Sequence, residues 1–133
     1  MALNLFPENM MKAEMSLETI ASKLLYFTEQ LHLIHWQTSI YAEHMATGSL
    51  YDYVHDFKDG LMEKLMGYTG RKPSVYKVES LTQATSQAVA AEMCMWAQEL
   101  KRYAEANSFL DIGNLADEFS GEVNKFKYLL TLS

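Results

Sequence analysis

The fold is decided by residues 16–38, which are SLETIASKLLYFTEQLHLIHWQT. Apolar side chains recur in this segment at intervals of three and four residues, the period of one face of an α-helix. They are Leu17, Ile20, Leu24, Phe27, Leu31 and Ile34, and the period continues to Thr38. Ser16 stands directly before the first of them and is predicted to be the N-cap. The segment therefore predicts a helix with one apolar stripe.

The second helix is predicted from an apolar stripe that runs from Leu50 to Leu65 and stops at Gly67. Its start has two interpretations. Residues 47–49, Thr-Gly-Ser, are typical of a loop before a capping box, whereas a helix through them would begin near Ser39. We favour the earlier start.

Two more helices follow. Ser80 with Gln83 resembles a capping box, and the apolar stripe after it ends at Tyr103. The last helix follows a break near Asn107, with Asp111 as its predicted cap. Four helices then account for nearly the whole chain.

The lengths of the connections select the topology. Few residues join helix one to helix two, or helix three to helix four, so each pair should be antiparallel neighbours. The middle link, residues 67–80, would reach roughly 40 Å if extended and so return along a helix. This pattern predicts an all-α, ferritin-like four-helix bundle with one long crossover between helices two and three. A plain up-and-down bundle with a loose loop is the alternative, because it gives the same stripes.

Composition bounds the class of protein. The 133 residues suit a single domain, 1–133, in which 1–15 is an N-terminal lead segment. One cysteine, Cys94, excludes an internal disulfide and a CxxC site. No run is long and apolar enough for a membrane span, and no basic, then apolar export signal begins the chain, so we expect a cytoplasmic protein. A net charge of −6 disfavours binding to nucleic acid phosphates.

All four histidines lie in one short part of the chain, at positions 32, 35, 44 and 55. On a helical wheel Asp52, Asp59 and Glu63 lie opposite the apolar stripe of helix two and point out of their own bundle. Imidazole and carboxylate together suit iron and other first-row metals. The plain alternatives are a solvated acidic face and histidines whose nitrogens are satisfied within an interface.

A metal site inside the bundle does not fit the pattern. Glu29 and His32 have the Glu-x-x-His spacing, but Glu29 projects away from the apolar stripe. Helices three and four contain no histidine. Glu92 and Glu122 lie at the inner edges of those helices, where we expect a paired or snorkelling structural role.

Several short motifs resemble the Dps family, the mini-ferritins of starved bacterial cells. They are His35-Trp36, the second histidine in Ile-Tyr-Ala-Glu-His44, the Asp-x-x-x-Glu pattern of Asp59 and Glu63, and the segments 111–119 and 124–130. The resemblance covers roughly residues 17–132 and implies a homo-oligomer, from a dimer to a hollow dodecamer, with ferroxidase sites at two-fold interfaces. By this resemblance His35 and His44 would bind iron from one chain, and Asp59 and Glu63 from its partner.

The chain also departs from the family pattern. The aspartate expected four residues after the second histidine is Gly48, and Asp52, one turn later, is the candidate to replace it. The two histidines are nine residues apart, closer than in the family. A basic N-terminal arm is missing, so no tight DNA binding is expected. Three functions remain open: a mini-ferritin that binds and oxidises iron (or holds zinc or another divalent metal), a degenerate bundle kept for assembly, and a helical adaptor.

Overall fold

The computed structural model describes residues 15–133, and these form four helices and no strand. They are α1 (Leu17–Gln37), α2 (Tyr41–Thr69), α3 (Ser86–Asn107) and α4 (Leu110–Leu129). The prediction of an all-α fold with four helices is confirmed for this part of the chain. Apart from Met15, the lead segment 1–15 lies outside the described residues. None of the four helices is long and apolar enough to cross a membrane.

The start of α1 is fixed by a reciprocal cap, in which Ser16 is the N-cap that the sequence predicted. The side-chain oxygen of Ser16 accepts a hydrogen bond from the backbone N–H of Thr19 at 3.1 Å. The hydroxyl oxygen of Thr19 accepts one from the backbone N–H of Ser16 at 2.8 Å. Two backbone donors of the first turn are thereby satisfied.

The earlier start of α2 is confirmed, since the helix begins at Tyr41 and runs through residues 47–49. It ends at Thr69, two residues beyond the predicted stop at Gly67. Gly70 is the C-cap, and its left-handed conformation, φ 68°, is one that glycine adopts without strain.

The predicted starts of α3 and α4 are wrong. Residues 80–84 are not helical, and the N-cap of α3 is Thr85, whose side chain accepts from the N–H of Ala88. A competing long-range contact explains the first error, because the Gln30 side chain bonds both the N–H and the carbonyl oxygen of Thr82. In α4 the cap position belongs to Phe109, and Asp111 lies within the first turn.

The long connection, residues 70–85, runs along the whole of α1. It begins beside the start of α1, where the N–H of Ser74 donates to Glu18 at 2.6 Å. It ends where the hydroxyl of Ser86 donates to Glu43, in the first turn of α2, at 2.5 Å. Helices α2 and α3 therefore begin at the same end of the bundle and run in the same direction.

Lys23 fastens the connection to both α1 and α3. Its ammonium lies 2.6 Å from a carboxylate oxygen of Glu92 and 3.1 Å from one of Glu79. Partial burial alone would lower the pKa of Lys23, but hydrogen bonds and attraction to the two carboxylates outweigh burial and raise it. Glu92 is thus engaged in a structural ion pair.

Aromatic rings from all four helices meet in the core. Phe119 of α4 lies 4.9 Å from Phe57 of α2 and 5.2 Å from Trp96 of α3, between ring centroids. Trp96 in turn lies 5.9 Å from Phe27 of α1 in an edge-on arrangement. Such contacts hold the helices at fixed spacing, so the outer face of the α1–α2 hairpin is supported by a packed interior.

Candidate functional site

Two histidines meet where α1 turns into α2. His35 lies in the last turn of α1, and His44 lies at the start of α2. Their rings are stacked, with centroids 3.8 Å apart and planes inclined by 16°. We call these two residues the histidine pair. His35 is half-buried and His44 is exposed, so the pair opens to the outside of the bundle.

Each ring of the histidine pair is fixed by the backbone of the other residue. Nδ1 of His35 lies 2.7 Å from the carbonyl oxygen of His44, and Nδ1 of His44 lies 3.0 Å from that of His35. Because a carbonyl oxygen only accepts, both Nδ1 atoms must carry a hydrogen. In the neutral rings both Nε2 atoms then keep a free lone pair. A metal-binding histidine is in this state, and a backbone carbonyl commonly fixes its other nitrogen.

Gly48 provides the space for the ring of His35. A Cβ at position 48 would lie 2.9 Å from Cε1 of that ring, closer than real Cβ atoms approach, and 3.2 Å from Nδ1. Glycine inside a helix costs about 1 kcal/mol relative to alanine. From the sequence, Gly48 marked a missing carboxylate. In the structure no carboxylate could stand there unless His35 moved.

The other two histidines extend the pair into a row of rings. His32 lies 5.8 Å from His35 and 4.2 Å from Tyr51, and Tyr51 lies 6.2 Å from His55, all between centroids. Trp36 flanks the row, 4.1 Å from His32. Tyr51 was not predicted from the sequence as a member of this row. Its spacing of four residues from His55, which matches that of His32 and Trp36, was the available signal.

The predicted carboxylates are not near the histidine pair of their own chain. Asp52, Asp59 and Glu63 are all exposed on α2. Asp52 lies roughly 12 Å from His44 along the helix axis, Asp59 roughly 22 Å and Glu63 roughly 28 Å. Within residues 15–133 no group of three histidine, cysteine, aspartate or glutamate side chains could hold a metal ion. One chain therefore brings together only the two histidines.

One buried polar group inside the bundle stands apart from the others. Among the described residues, the hydroxyl of Tyr53 is the buried side-chain polar atom without a hydrogen-bond partner. Burial, and then the charges of Glu118 and Glu122 on α4, raise the pKa of this phenol above its ordinary value of 10.0. The phenol is thus held neutral, and this region is less suited to a metal than the histidine pair.

A groove lies elsewhere on the bundle. About 570 Å³ is enclosed between α1, the long connection and α3. Among its charged lining residues, Lys23 is paired with Glu79, and Glu18 accepts a hydrogen bond from the N–H of Ser74. The histidine pair instead offers two ring nitrogens with free lone pairs, and we take it as the candidate site.

Comparison with protein families places the chain in a group without an assigned activity. The chain belongs to the family of unknown function DUF5856, whose model matches residues 35–130. The matched region begins at His35 and includes every residue of the predicted metal site. No curated protein and no solved structure matches the chain.

Proposed function

We propose that this protein is a Dps-like mini-ferritin that binds ferrous iron at a site shared by two copies of the chain. His35 and His44 of one chain supply two imidazole nitrogens, and the partner subunit's Asp59 and the partner subunit's Glu63 supply carboxylate oxygens. The observation that carries the proposal is the paired Nδ1–H bonds to backbone carbonyls, which leave both Nε2 atoms free to bind metal.

The topology supports a ferritin-like interpretation of the fold. A bundle whose second and third helices run in the same direction, joined by a connection along the first, has the one-crossover arrangement of ferritin-like proteins. The hydrogen bonds of Ser74 and Ser86 at opposite ends of α1 support this interpretation. In an up-and-down bundle α3 would instead run antiparallel to α2.

The charges on α2 favour an antiparallel meeting of two copies. The first half of this helix carries His44 and no exposed carboxylate before Asp52, whereas the second half carries Asp56, Asp59 and Glu63, with Lys58 and Lys64 among them. A two-fold axis across α2 would place the histidine end of each copy against the acidic end of the other. The outward carboxylates would then face imidazole rings in place of water.

The register of this pairing can be stated. If His44 faces the partner subunit's Asp59, the two-fold axis passes between residues 51 and 52. If His44 faces the partner subunit's Glu63, the axis passes between residues 53 and 54. In both registers Asp52 lies near the two-fold axis, close to the partner subunit's Asp52. Asp52 is therefore poorly placed to replace the carboxylate absent at Gly48.

Exposed apolar side chains around the histidine pair also suit an interface. Trp36 is 67% exposed, Tyr41 72% and Met45 53%. Large apolar groups that cluster on a surface commonly mark a contact with another protein. Burial of these groups against a second copy would exclude water from the site and strengthen metal binding.

The chemistry of the site follows from its ligands. Imidazole and carboxylate together suit ferrous iron, and zinc or cobalt could compete for the same donors. Where two ferrous ions are held together, they reduce one hydrogen peroxide, with two protons, to two waters and become ferric. Ferric product would then collect inside a closed shell.

Anaerobic ferrous titration of protein of known oligomeric size tests the proposal. We expect saturable binding that is lost in His35→Ala and in Asp59→Ala, because each removes a ligand. His55→Ala and Asp52→Ala are matched controls on α2 and should bind as the unmodified protein does. Added peroxide should then produce ferric absorbance only where iron was bound. An intact oligomer that binds no iron would contradict the proposal.

A structural role is the second candidate. The same two hydrogen bonds join the end of α1 to the start of α2, so the histidine pair can act as a clamp on the hairpin. In that case replacement of either histidine lowers the free energy of unfolding, and the protein has no metal binding that the replacement could remove. The titration separates the two functions, since a clamp needs no partner carboxylate.

A further inference from the structure

The groove between α1, the long connection and α3 has the size of a small-molecule site. Its volume is about 570 Å³, and sites for small organic molecules are commonly preformed clefts of roughly 300–1,000 Å³. Contacts across its walls hold it in shape. The hydroxyl of Ser22 donates to the carbonyl oxygen of Lys77 at 2.6 Å, and Lys23 lies 3.1 Å from Glu79. A ligand would therefore enter a groove whose walls are already fixed to each other.

Trp96 of α3 lines this groove and has an unsatisfied hydrogen-bond donor. Only 4% of the residue is exposed, and its indole N–H donates to no acceptor within residues 15–133. Among those residues, the fully buried side-chain polar atom without a partner is the hydroxyl of Tyr53, so the indole nitrogen of Trp96 must reach the surface. Buried tryptophan usually has an acceptor for this group. The N–H is thus available to an acceptor oxygen on a bound molecule.

Glu99 places the opposite kind of group beside Trp96. It is half-buried and lines the same groove, and its carboxylate has no ion pair or hydrogen bond with the described part of the chain. Residues three apart on a helix have Cβ atoms roughly 5–6 Å apart, so the two side chains are neighbours. A carboxylate without a partner forms its strongest hydrogen bonds with a cationic donor such as an ammonium group.

The balance of charge around the groove also favours a cation. Glu18 is paired with Arg71 at 3.6 Å, and Lys23 is shared by two carboxylates. With their partners included, the groups at the groove are four carboxylates and three cations: Glu18, Glu79, Glu92 and Glu99, against Lys23, Arg71 and Lys77. The excess is one negative charge. Lys77 is exposed, so water and salt screen its charge from the groove.

We infer that this groove binds a small α-aminoacyl compound, such as an amino acid amide with an apolar side chain. The ammonium group of the ligand donates to Glu99, and its carbonyl oxygen accepts from the indole N–H of Trp96. Its side chain packs against the apolar part of the wall, which includes Met15 and Val75. The site is independent of the histidine pair and is complete within one chain.

The test is a titration of the full-length, ¹⁵N-labelled protein with leucinamide, followed by the indole N–H signals in NMR spectra. The chain has two tryptophans, so the signal that disappears in Trp36→Phe assigns both. At about pH 6.5 the amine of leucinamide is protonated. We expect a saturable shift of the Trp96 signal and no shift of the Trp36 signal. An unmoved Trp96 signal, or equal shifts of both, would overturn the inference. So would a shift of the Trp96 signal on dilution of the protein alone, because a second copy would then occupy the groove.

Two related compounds test the two polar contacts separately. N-acetyl-leucinamide has no ammonium group, and 3-methylbutylamine keeps the ammonium group and the apolar chain but has no carbonyl oxygen. Each should bind more weakly than leucinamide, the first by about tenfold, since a hydrogen bond to a charged group is worth about that much. Equal affinity of the three compounds would overturn the assignment of the ligand class.

A pair of glutamate variants on α3 tests the role of the carboxylate. Glu99→Gln should weaken binding of leucinamide by about tenfold for the same reason. Glu105→Gln is the matched control, because Glu105 is exposed on the same helix and does not line the groove. It should bind leucinamide as the unmodified protein does. Equal affinity of a folded Glu99→Gln protein and this control would contradict the inference.

Discussion

Nδ1 of His44 lies 3.0 Å from the carbonyl oxygen of His35, in the last turn of α1. Carbonyl groups in the last turn of a helix have no partner within it, so the ring of His44 satisfies one of them. The stacking of the two rings at 3.8 Å adds a second contact between the same residues. The histidine pair thus joins the two helices whether or not a metal is bound.

Replacement of His44 by alanine should therefore destabilise the metal-free protein. We expect the free energy of unfolding to fall by about 1 kcal/mol, the usual net value of one hydrogen bond. His55→Ala, at the exposed end of the row of rings, should change it by less than about 0.5 kcal/mol. Urea unfolding followed by circular dichroism in the presence of a chelator measures both. Equal effects of the two substitutions would show that the stack is not a clamp.

The anchor of the long connection gives a second prediction. Gln30 is fully buried, and its amide donates to the carbonyl oxygen of Thr82 at 2.7 Å and accepts from its N–H at 3.1 Å. Gln30→Leu should lower the free energy of unfolding by roughly 2 kcal/mol, because two backbone groups lose their partner. Gln37→Leu, in an exposed amide pair with Gln83, should have little effect. Urea unfolding compares the two, and a neutral Gln30→Leu would contradict the account of the connection.

The buried phenol of Tyr53 predicts a dependence on alkaline pH. Because the pKa is raised in the folded protein, stability does not depend on this residue's ionisation below its unfolded pKa, 10.0, and falls as pH rises above it. Tyr53→Phe should therefore retain more stability above pH 10 than the unmodified protein. At pH 7 it should be neutral or stabilising by about 1 kcal/mol, since the hydroxyl has no hydrogen-bond partner. Urea midpoints at pH 7 and pH 11 test both statements, and parallel pH profiles would contradict the first.

The charge of the chain predicts weak interaction with DNA. The net charge is −6, and the densest basic group is only Arg71, Lys72 and Lys77 on the long connection. Too few phosphates would be neutralised to release the counterions that drive binding. We expect no gel shift of plain duplex at about 0.15 M salt. A shift that disappears in Lys72→Glu would contradict this expectation.

The local sequence pattern was sufficient to predict α1 and the extent of α2 through residues 47–49. Ser16 and the stripe after it are signals within one helix, so the sequence alone placed the cap and the stripe. The start of α3 could not be placed in this way. Its position depends on Gln30, which is 52 residues from Thr82 and competes with the predicted cap.

The site was predictable in its residue types and only partly in its geometry. The resemblance placed His35 and His44 in one site on the same chain, and the structure stacks their rings. The role of Gly48 could not be foreseen, because it depends on the side-chain conformation of His35. The proposed role of Asp59 and Glu63 as ligands depends on contacts with a second chain. The sequence of α2 alone does not show in which register it would pack against α2 of that chain.

The most direct test of a shared site is complementation between two inactive chains. One chain carries His35→Ala with His44→Ala, and the other carries Asp59→Ala with Glu63→Ala. Each alone should bind no cobalt or iron, because every one of its sites lacks half of the ligands. Unfolded together in equal amounts and refolded, they should recover about one quarter of the unmodified protein's sites, since half of random dimers are mixed and each mixed dimer has one intact site. A mixture of folded, mixed dimers that binds no metal, or metal binding by either chain alone, would contradict the account.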